Sequence, residues 1–396
     1  KLENNFPEKV LGININIKEI INILEKLGFR CKKNTNTITT KIPSWRPDIS
    51  GKIDLVEEII RIKGLERIKS IEPKKIRSNQ TLNNEQKHFH LTQRSIAAKG
   101  YLEAITWSFT NEKINNYFLN SGKTNRLINP ISSDLGVLRS SIFSNLIEKV
   151  RENIDRGEEN ISLFEIGPVF EGKNPGEQVI TACGISAGYA LRPNWNEKGR
   201  FLDLFDVKRD LLHTLYELGT DKDKITIETS NLPDYYHPGK SGNISFTNNP
   251  SNSFASFGEL HPNIINQLNI KTNSLVGFEL NLDKYIKLKE KIKKTKISYE
   301  FSEYQKSERD FAFIVDKNIQ AQELLNLIKN VDLTLIKDIS VFDLYDGENI
   351  PNEKKSLAFK VVIQSDEKAL TDNDINTLSK KIITTVEDKT GSKLRS

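Results

Sequence analysis

Four carboxylates fall within eleven consecutive positions of one stretch, "SWRPDISGKIDLVEEIIRI" (residues 44–62): Asp48, Asp54, Glu57 and Glu58. Apolar residues at 53, 55, 56, 59, 60 and 62, followed by Gly64, predict a helix ended by a glycine. On it Asp54, Glu57 and Glu58 stand at i, i+3 and i+4 and share a face, with Asp48 folding back from the preceding loop. Like charges at such spacings repel by roughly 0.2–0.5 kcal/mol per pair, so a cationic partner is one expectation. All-oxygen ligation suits magnesium or calcium rather than zinc. The other expectation is a solvated helix start, where the macrodipole favours acids. Spacing alone leaves both open.

Other reactive side chains are sparse. His88 and His90, at i and i+2, point to different faces of a helix and do not read as a metal pair. His237 and His261 each precede a proline and read as turn residues. Arg139-Ser140-Ser141 resembles an anion-binding helix start, which capping by the serines explains as well. Cys31 and Cys183 are far apart with no CxxC, which argues against a disulfide framework or a zinc site and fits a reducing cytoplasm.

The elements that carry these residues fall into modules. At 396 residues the chain is long enough for two or three cores, and no apolar run approaches the ~20 residues of a membrane span. A net charge of +5 permits an anionic partner without demonstrating one. Residues 1–72 read as helix, hairpin and helix: Asn16 with Glu19 caps "NIKEIINILEKLGF", and "FRCKK" with "TITTKIP" forms the hairpin. Residues 86–290 mix helices with strands joined by hairpin-like turns, which predicts an antiparallel sheet. The lysine-rich "KYIKLKEKIKKTK" (284–296) reads as a basic connector or solvated helix. Residues 301–396 give strand, helix, strand, strand, helix and a short end, the ferredoxin-like βαββαβ order, with Thr371 and Asp374 capping the second helix. The fold class is α+β, multidomain.

Three motif groups carry a resemblance: "PSWRPDISGKIDLVEEIIRIKG"; "NPISSDLGVLRSSIFSNLIEKVRENIDRGEENISLFEIGPVF"; and "ERDFAFIVD", "FDLYDGENIPNEKKSLAFKVVIQS" and "LTDNDIN". In this order they resemble the C-terminal half of the bacterial phenylalanyl-tRNA synthetase β subunit: a B5 domain, a class II synthetase-like catalytic module and a ferredoxin-fold anticodon-binding domain. The resemblance implies that Asp48, Asp54, Glu57 and Glu58 bind Mg²⁺ shared with an α subunit. It also implies an (αβ)₂ heterotetramer in the cytoplasm, with ATP and catalysis on the α subunit, and a role in attaching phenylalanine to its tRNA. No catalytic residue is expected here: the module lacks a G-x-G-x-G motif, and its one Arg-x-Glu, Arg156 to Glu158, falls at a helix end. Lacking an initial methionine, the chain reads as a piece of a longer protein, without the family's editing half. In the last domain Arg309, Tyr345, Lys354, Lys355 and Lys360 are expected to form an RNA face, Tyr345 stacking on an unpaired base and the cations meeting phosphates. The alternative is a stand-alone RNA-binding or scaffold protein built from the same modules.

Overall fold

The structure, a computed structural model, describes residues 1–73, 81–119, 124–289, 301–348 and 350–395. Residues 290–296 of the lysine-rich stretch lie outside them. The chain forms two compact units, Lys1–Lys287 and Leu288–Ser396.

The first unit begins with strand β1 (Leu2–Glu3), helix α1 (Ile17–Lys26), strands β2 (Arg30–Lys33) and β3 (Thr37–Lys41), and helix α2 (Lys52–Lys63). β3 pairs antiparallel with both β1 and β2, and the apolar stripe of α1 meets α2 over Leu24, Phe29, Ile38, Leu55 and Ile59. Asn16 caps α1 by accepting from the Lys18 N–H. Glu19, expected to complete that cap, instead reaches across to Lys63 and ties α1 to α2.

Helix α3 (Asn84–Ala97), strand β4 (Leu102–Glu103), helix α4 (Phe143–Asp155), strands β5 (Ile161–Phe170) and β6 (Gln178–Ala187), helix α5 (Leu204–Glu217), and strands β7 (Ile225–Glu228), β8 (Tyr236–Phe246), β9 (Ala255–Leu260) and β10 (Leu275–Asn281) follow. Among the described residues these strands make one sheet in the order β7-β8-β9-β10-β6-β5-β4, antiparallel except for the β4–β5 pair. Alternation along the strands sends Ile161, Cys183, Ile185 and Leu275 to the face covered by α4, where Phe143 and Leu146 complete the core. Gly277 is required there, since a Cβ on it would lie 2.5 Å from the Phe143 ring.

The second unit holds strand β11 (Ser307–Asp316), helix α6 (Ala321–Lys329), strands β12 (Ile336–Tyr345) and β13 (Lys354–Ile363), helix α7 (Asp372–Thr390) and strand β14 (Lys393–Leu394). The sheet order is β12-β13-β11-β14, all antiparallel. This is the ferredoxin-like arrangement. Phe311, Phe313, Val315, Leu357, Phe359 and Val361 point at Leu324, Ile328, Ile382 and Val386 of the two helices. Thr371 and Asp374 cap α7 reciprocally. The opposite sheet face carries the even-numbered residues of β11 and β13 and is not covered by these helices.

Candidate functional site

The four carboxylates of the first module do not converge. Asp54 folds over the start of its own helix, where its Oδ2 accepts from the Ser50 N–H at 2.8 Å and the Gly51 N–H at 2.7 Å. Arg46 grips Asp48 through Nε and Nη2, at 3.0 and 2.6 Å, and the same Nη2 donates to Glu58 at 2.8 Å. Glu58 is buried and receives a second guanidinium, from Arg61, at 2.5 Å. Glu57, one residue and ~100° further round the helix, faces solvent. Arg46 holds the Asp48 carboxyl below its usual range, the Gly51 and Ser50 N–H groups do the same for Asp54, and Arg46 followed by Arg61 lowers Glu58. All three are anionic at neutral pH and already compensated. Among the described residues no three His, Cys, Asp or Glu side chains are placed to hold a metal ion. Magnesium needs near-octahedral oxygen ligation, and here Arg46 stands between two of the expected ligands. In this arrangement two guanidiniums, Arg46 and Arg61, neutralise Asp48 and Glu58.

In the ferredoxin-like domain the five residues expected to form an RNA face divide between the two sides of the sheet. Tyr345 lies opposite Ser356, and Lys354 and Lys360 share the parity of Ser356, which places all three on the open face. Arg309 has the parity of Phe311, and Lys355 that of Leu357 and Phe359, so both belong to the helix-covered side. Lys355 donates to the Lys317 carbonyl at 2.9 Å. Lys360 pairs with Glu308 at 3.0 Å and Lys354 with Asp316 at 3.6 Å. The Tyr345 hydroxyl donates to the Glu348 carbonyl at 3.0 Å. One residue absent from the sequence-based set joins them: the Arg395 guanidinium lies over the Tyr345 ring, 5.0 Å from its centroid. Only its position after a short last strand could have marked it.

The large sheet module spends its polar residues internally. Arg139 donates to Glu165 Oε1 at 2.7 Å, to Thr106 Oγ1 at 3.0 Å and to the Pro168 carbonyl at 2.9 Å. The Arg139-Ser140-Ser141 segment is therefore structural: Ser141 accepts from the Phe143 N–H and donates to Glu279 at 2.5 Å, while Tyr235 donates to the other Glu279 oxygen. Burial pushes the Glu279 carboxyl up, against the two hydroxyls that hold it down. A cavity of about 710 Å³ opens beside this network, lined by Ser140, Thr181, Asn243, Ser256, Glu279 and Asn281 among others. The histidines play local parts, His88 bonding to the Asn84 carbonyl and His261 accepting from the Asn263 N–H.

Residues 68–282 match the family described as the phenylalanyl tRNA synthetase beta chain CLM domain, more than half of the chain. The chain belongs to the phenylalanyl-tRNA synthetase β chain family. Residues 1–65 match the tRNA synthetase B5 domain and residues 302–395 the ferredoxin-fold anticodon binding domain. Among curated β chain relatives, the phenylalanine–tRNA ligase beta subunit of Paramagnetospirillum magneticum is 37% identical over 395 residues, covering 100% of this chain and 49% of the relative. That of Rhodopseudomonas palustris is 36% identical over 398 residues, covering 98% and 49%. The chain thus spans about half the length of the β chain relatives it matches. A pyrrolysyl-tRNA synthetase from Desulfitobacterium hafniense superposes over 60% of this chain and 78% of its own, with 12% identity and a TM-score of 0.40, too distant to bear on the family's chemistry. No described helix is long and apolar enough to cross a membrane.

Proposed function

We propose that this chain is the part of a phenylalanine–tRNA ligase β subunit that supports a catalytic α subunit and holds the anticodon region of phenylalanine tRNA. ATP and the ligation chemistry belong to the α subunit, and the working assembly is an (αβ)₂ heterotetramer in the cytoplasm. Three modules, taken as residues 1–72, 86–290 and 301–396, divide that work. The reading is carried by one observation: the family's domains follow in order along the chain and end in a four-stranded sheet whose two helices cover one face.

Exposed apolar side chains support a protein partner as well. Ile105 and Ile128 are 92% and 96% exposed, with Trp107 and Ile131 also largely in solvent. Their segments are tied to one small sheet, in which Phe109–Thr110 and Asn125–Arg126 both pair with Val137–Leu138. Apolar groups gathered this way suit burial in a subunit interface. A shared Mg²⁺ at Asp48, Asp54, Glu57 and Glu58 would have to displace Arg46, which neutralises Asp48 and Glu58 in this arrangement.

The test is co-expression with a cognate α subunit. The expected result is a stable complex that charges tRNA with phenylalanine, while the chain alone gives background pyrophosphate exchange with phenylalanine and ATP. Exchange by the α-free chain would overturn the division of labour. Failure to form a complex, with RNA binding retained, would favour a stand-alone RNA-binding protein.

A further inference from the structure

A single row of side chains crosses the large sheet from β7 to β5. Register sets Glu228 of β7 beside Asn243 of β8, then Ser256 of β9, Glu279 of β10, Cys183 of β6 and Glu165 of β5, so all of them point to one face. The fold matches the three acids of this row unequally. Glu165 has the Arg139 guanidinium at 2.7 Å. Glu279, 9% exposed, is held by the hydroxyls of Ser141 and Tyr235 and meets no cation among the described residues. Glu228, half-buried, has no ion pair or side-chain hydrogen bond among them.

Glu228, Asn243, Ser256 and Glu279 all line the cavity of about 710 Å³, so this part of the row runs along its wall. Three strand spacings of ~4.8 Å set the backbones of the two acids roughly 14 Å apart. Glu171 adds a third carboxylate to the lining, against one cation, Lys284. Burial lowers the Lys284 ammonium, and Glu171 partly offsets this. Ser245 and Thr181, 2% and 5% exposed, line the cavity as well, and neither hydroxyl has a hydrogen-bond partner among the described residues. Buried hydroxyls are ordinarily paired, so two left open toward a cavity mark places for a ligand's polar groups.

We propose that this cavity binds a linear polyamine, with one terminal ammonium on Glu279, the other on Glu228, and the chain between them lying along Asn243 and Ser256. The charge of the wall decides the class. A phosphate-bearing ligand would meet three carboxylates and no arginine, and a neutral polyol would leave Glu228 and Glu279 without a counter-charge. A single metal ion cannot reach two acids set that far apart. A polyamine supplies separated positive charges for the two carboxylates, N–H donors for the open hydroxyls, and methylenes that pack on the Phe254 and Leu232 side chains of the same wall. The site needs neither tRNA nor the α subunit.

The experiment is isothermal titration calorimetry of the full chain, free of RNA, with spermidine at about 150 mM salt, where exposed charges are screened. One saturable site per chain is expected. Butylamine, which brings a single ammonium, is expected to bind roughly tenfold more weakly or worse, since it meets one acid and not two. Glu228→Gln and Glu279→Gln are each expected to weaken spermidine by roughly tenfold, the loss of one charge-assisted hydrogen bond. Glu197→Gln, at an exposed acid outside the cavity, should leave the affinity unchanged. Circular dichroism checks that each variant is folded, and the half-buried Glu228 keeps the test open if the Glu279 variant does not fold. The proposal is overturned if spermidine shows no saturable binding, if Glu228→Gln binds it as tightly as the unmodified chain, or if butylamine equals spermidine.

Discussion

Arg139 and Glu165 form an ion pair at 2.7 Å with side chains 1% and 6% exposed, between the approach to α4 and the middle of β5. The Thr106 hydroxyl accepts from Arg139 Nη1 and donates to Glu165 Oε2, the Pro168 carbonyl accepts from Arg139 Nε, and Gly167 leaves room for the guanidinium, since a Cβ there would come within 2.5 Å of Nη2. Removing one member strands a charge in the protein interior.

Arg139→Ala is expected to destabilise the large sheet module by about 3–5 kcal/mol, the usual cost of breaking a buried pair from one side. Replacing both residues with leucine should recover much of that loss. Urea denaturation of the chain, followed by the fluorescence of its three tryptophans, makes the comparison. A single substitution as mild as the double would show that the pair is not the anchor described.

Glu279 gives the sheet module a defined pH dependence. Burial raises its folded-state carboxyl above the unfolded value, so its contribution favours the fold most at pH below the ordinary glutamate range and is lost as pH rises through the folded value. Glu279→Gln mimics the protonated acid and removes that dependence. The difference in Tm, wild type minus variant, should therefore become more negative from about pH 4 to about pH 8. A difference flat with pH refutes the assignment.

Arg46 bridges Asp48 and Glu58 in this arrangement, and Arg61 pairs with Glu58 from the next turn. Millimolar Mg²⁺ should leave the Tm of the chain unchanged, because an ion raises stability only where it binds the folded form more tightly. Arg46→Gln, which unpairs Asp48 and exposes the buried Glu58 carboxylate, should lower Tm, and part of the loss should be recovered by Mg²⁺. A wild-type chain stabilised by Mg²⁺ would show that Arg46 yields to the ion. The depressed Asp48 and Glu58 carboxyls add an acid limit: their stabilisation is complete above the ordinary carboxylate range and fades as pH falls through their lowered values.

The lysines of the last domain should separate by sheet face. Lys355→Ala, on the helix-covered side, is expected to leave affinity for an anticodon stem-loop of phenylalanine tRNA unchanged, whereas Lys354→Ala or Lys360→Ala should each reduce the slope of log affinity against log salt by about 0.7 if it meets one phosphate. Equal effects from all three would mean that net charge, not the open face, governs binding.

Much of this protein was legible in its sequence, because helices, caps and turns are made by residues a few positions apart. The apolar period of α1, the glycine ending α2, the Thr371–Asp374 cap and the βαββαβ order are all local signals, and each appears where it was read. The division of the RNA-face candidates was also present, unused: in "KKSLAFKVV" the apolar Leu357, Phe359 and Val361 alternate, which already assigns Lys355 to their side and Lys354 and Lys360 to the other. Tertiary structure alone decided which distant groups meet. The i, i+3, i+4 spacing put three carboxylates near one face of α2, but the loop that returns Arg46 to Glu58 determined what neutralises them. Arg139 and Glu165 are 26 positions apart, and Arg395 and Tyr345 fifty. Such contacts depend on strand register and on the small residues between them, and neither is fixed by the side chains adjacent in the chain.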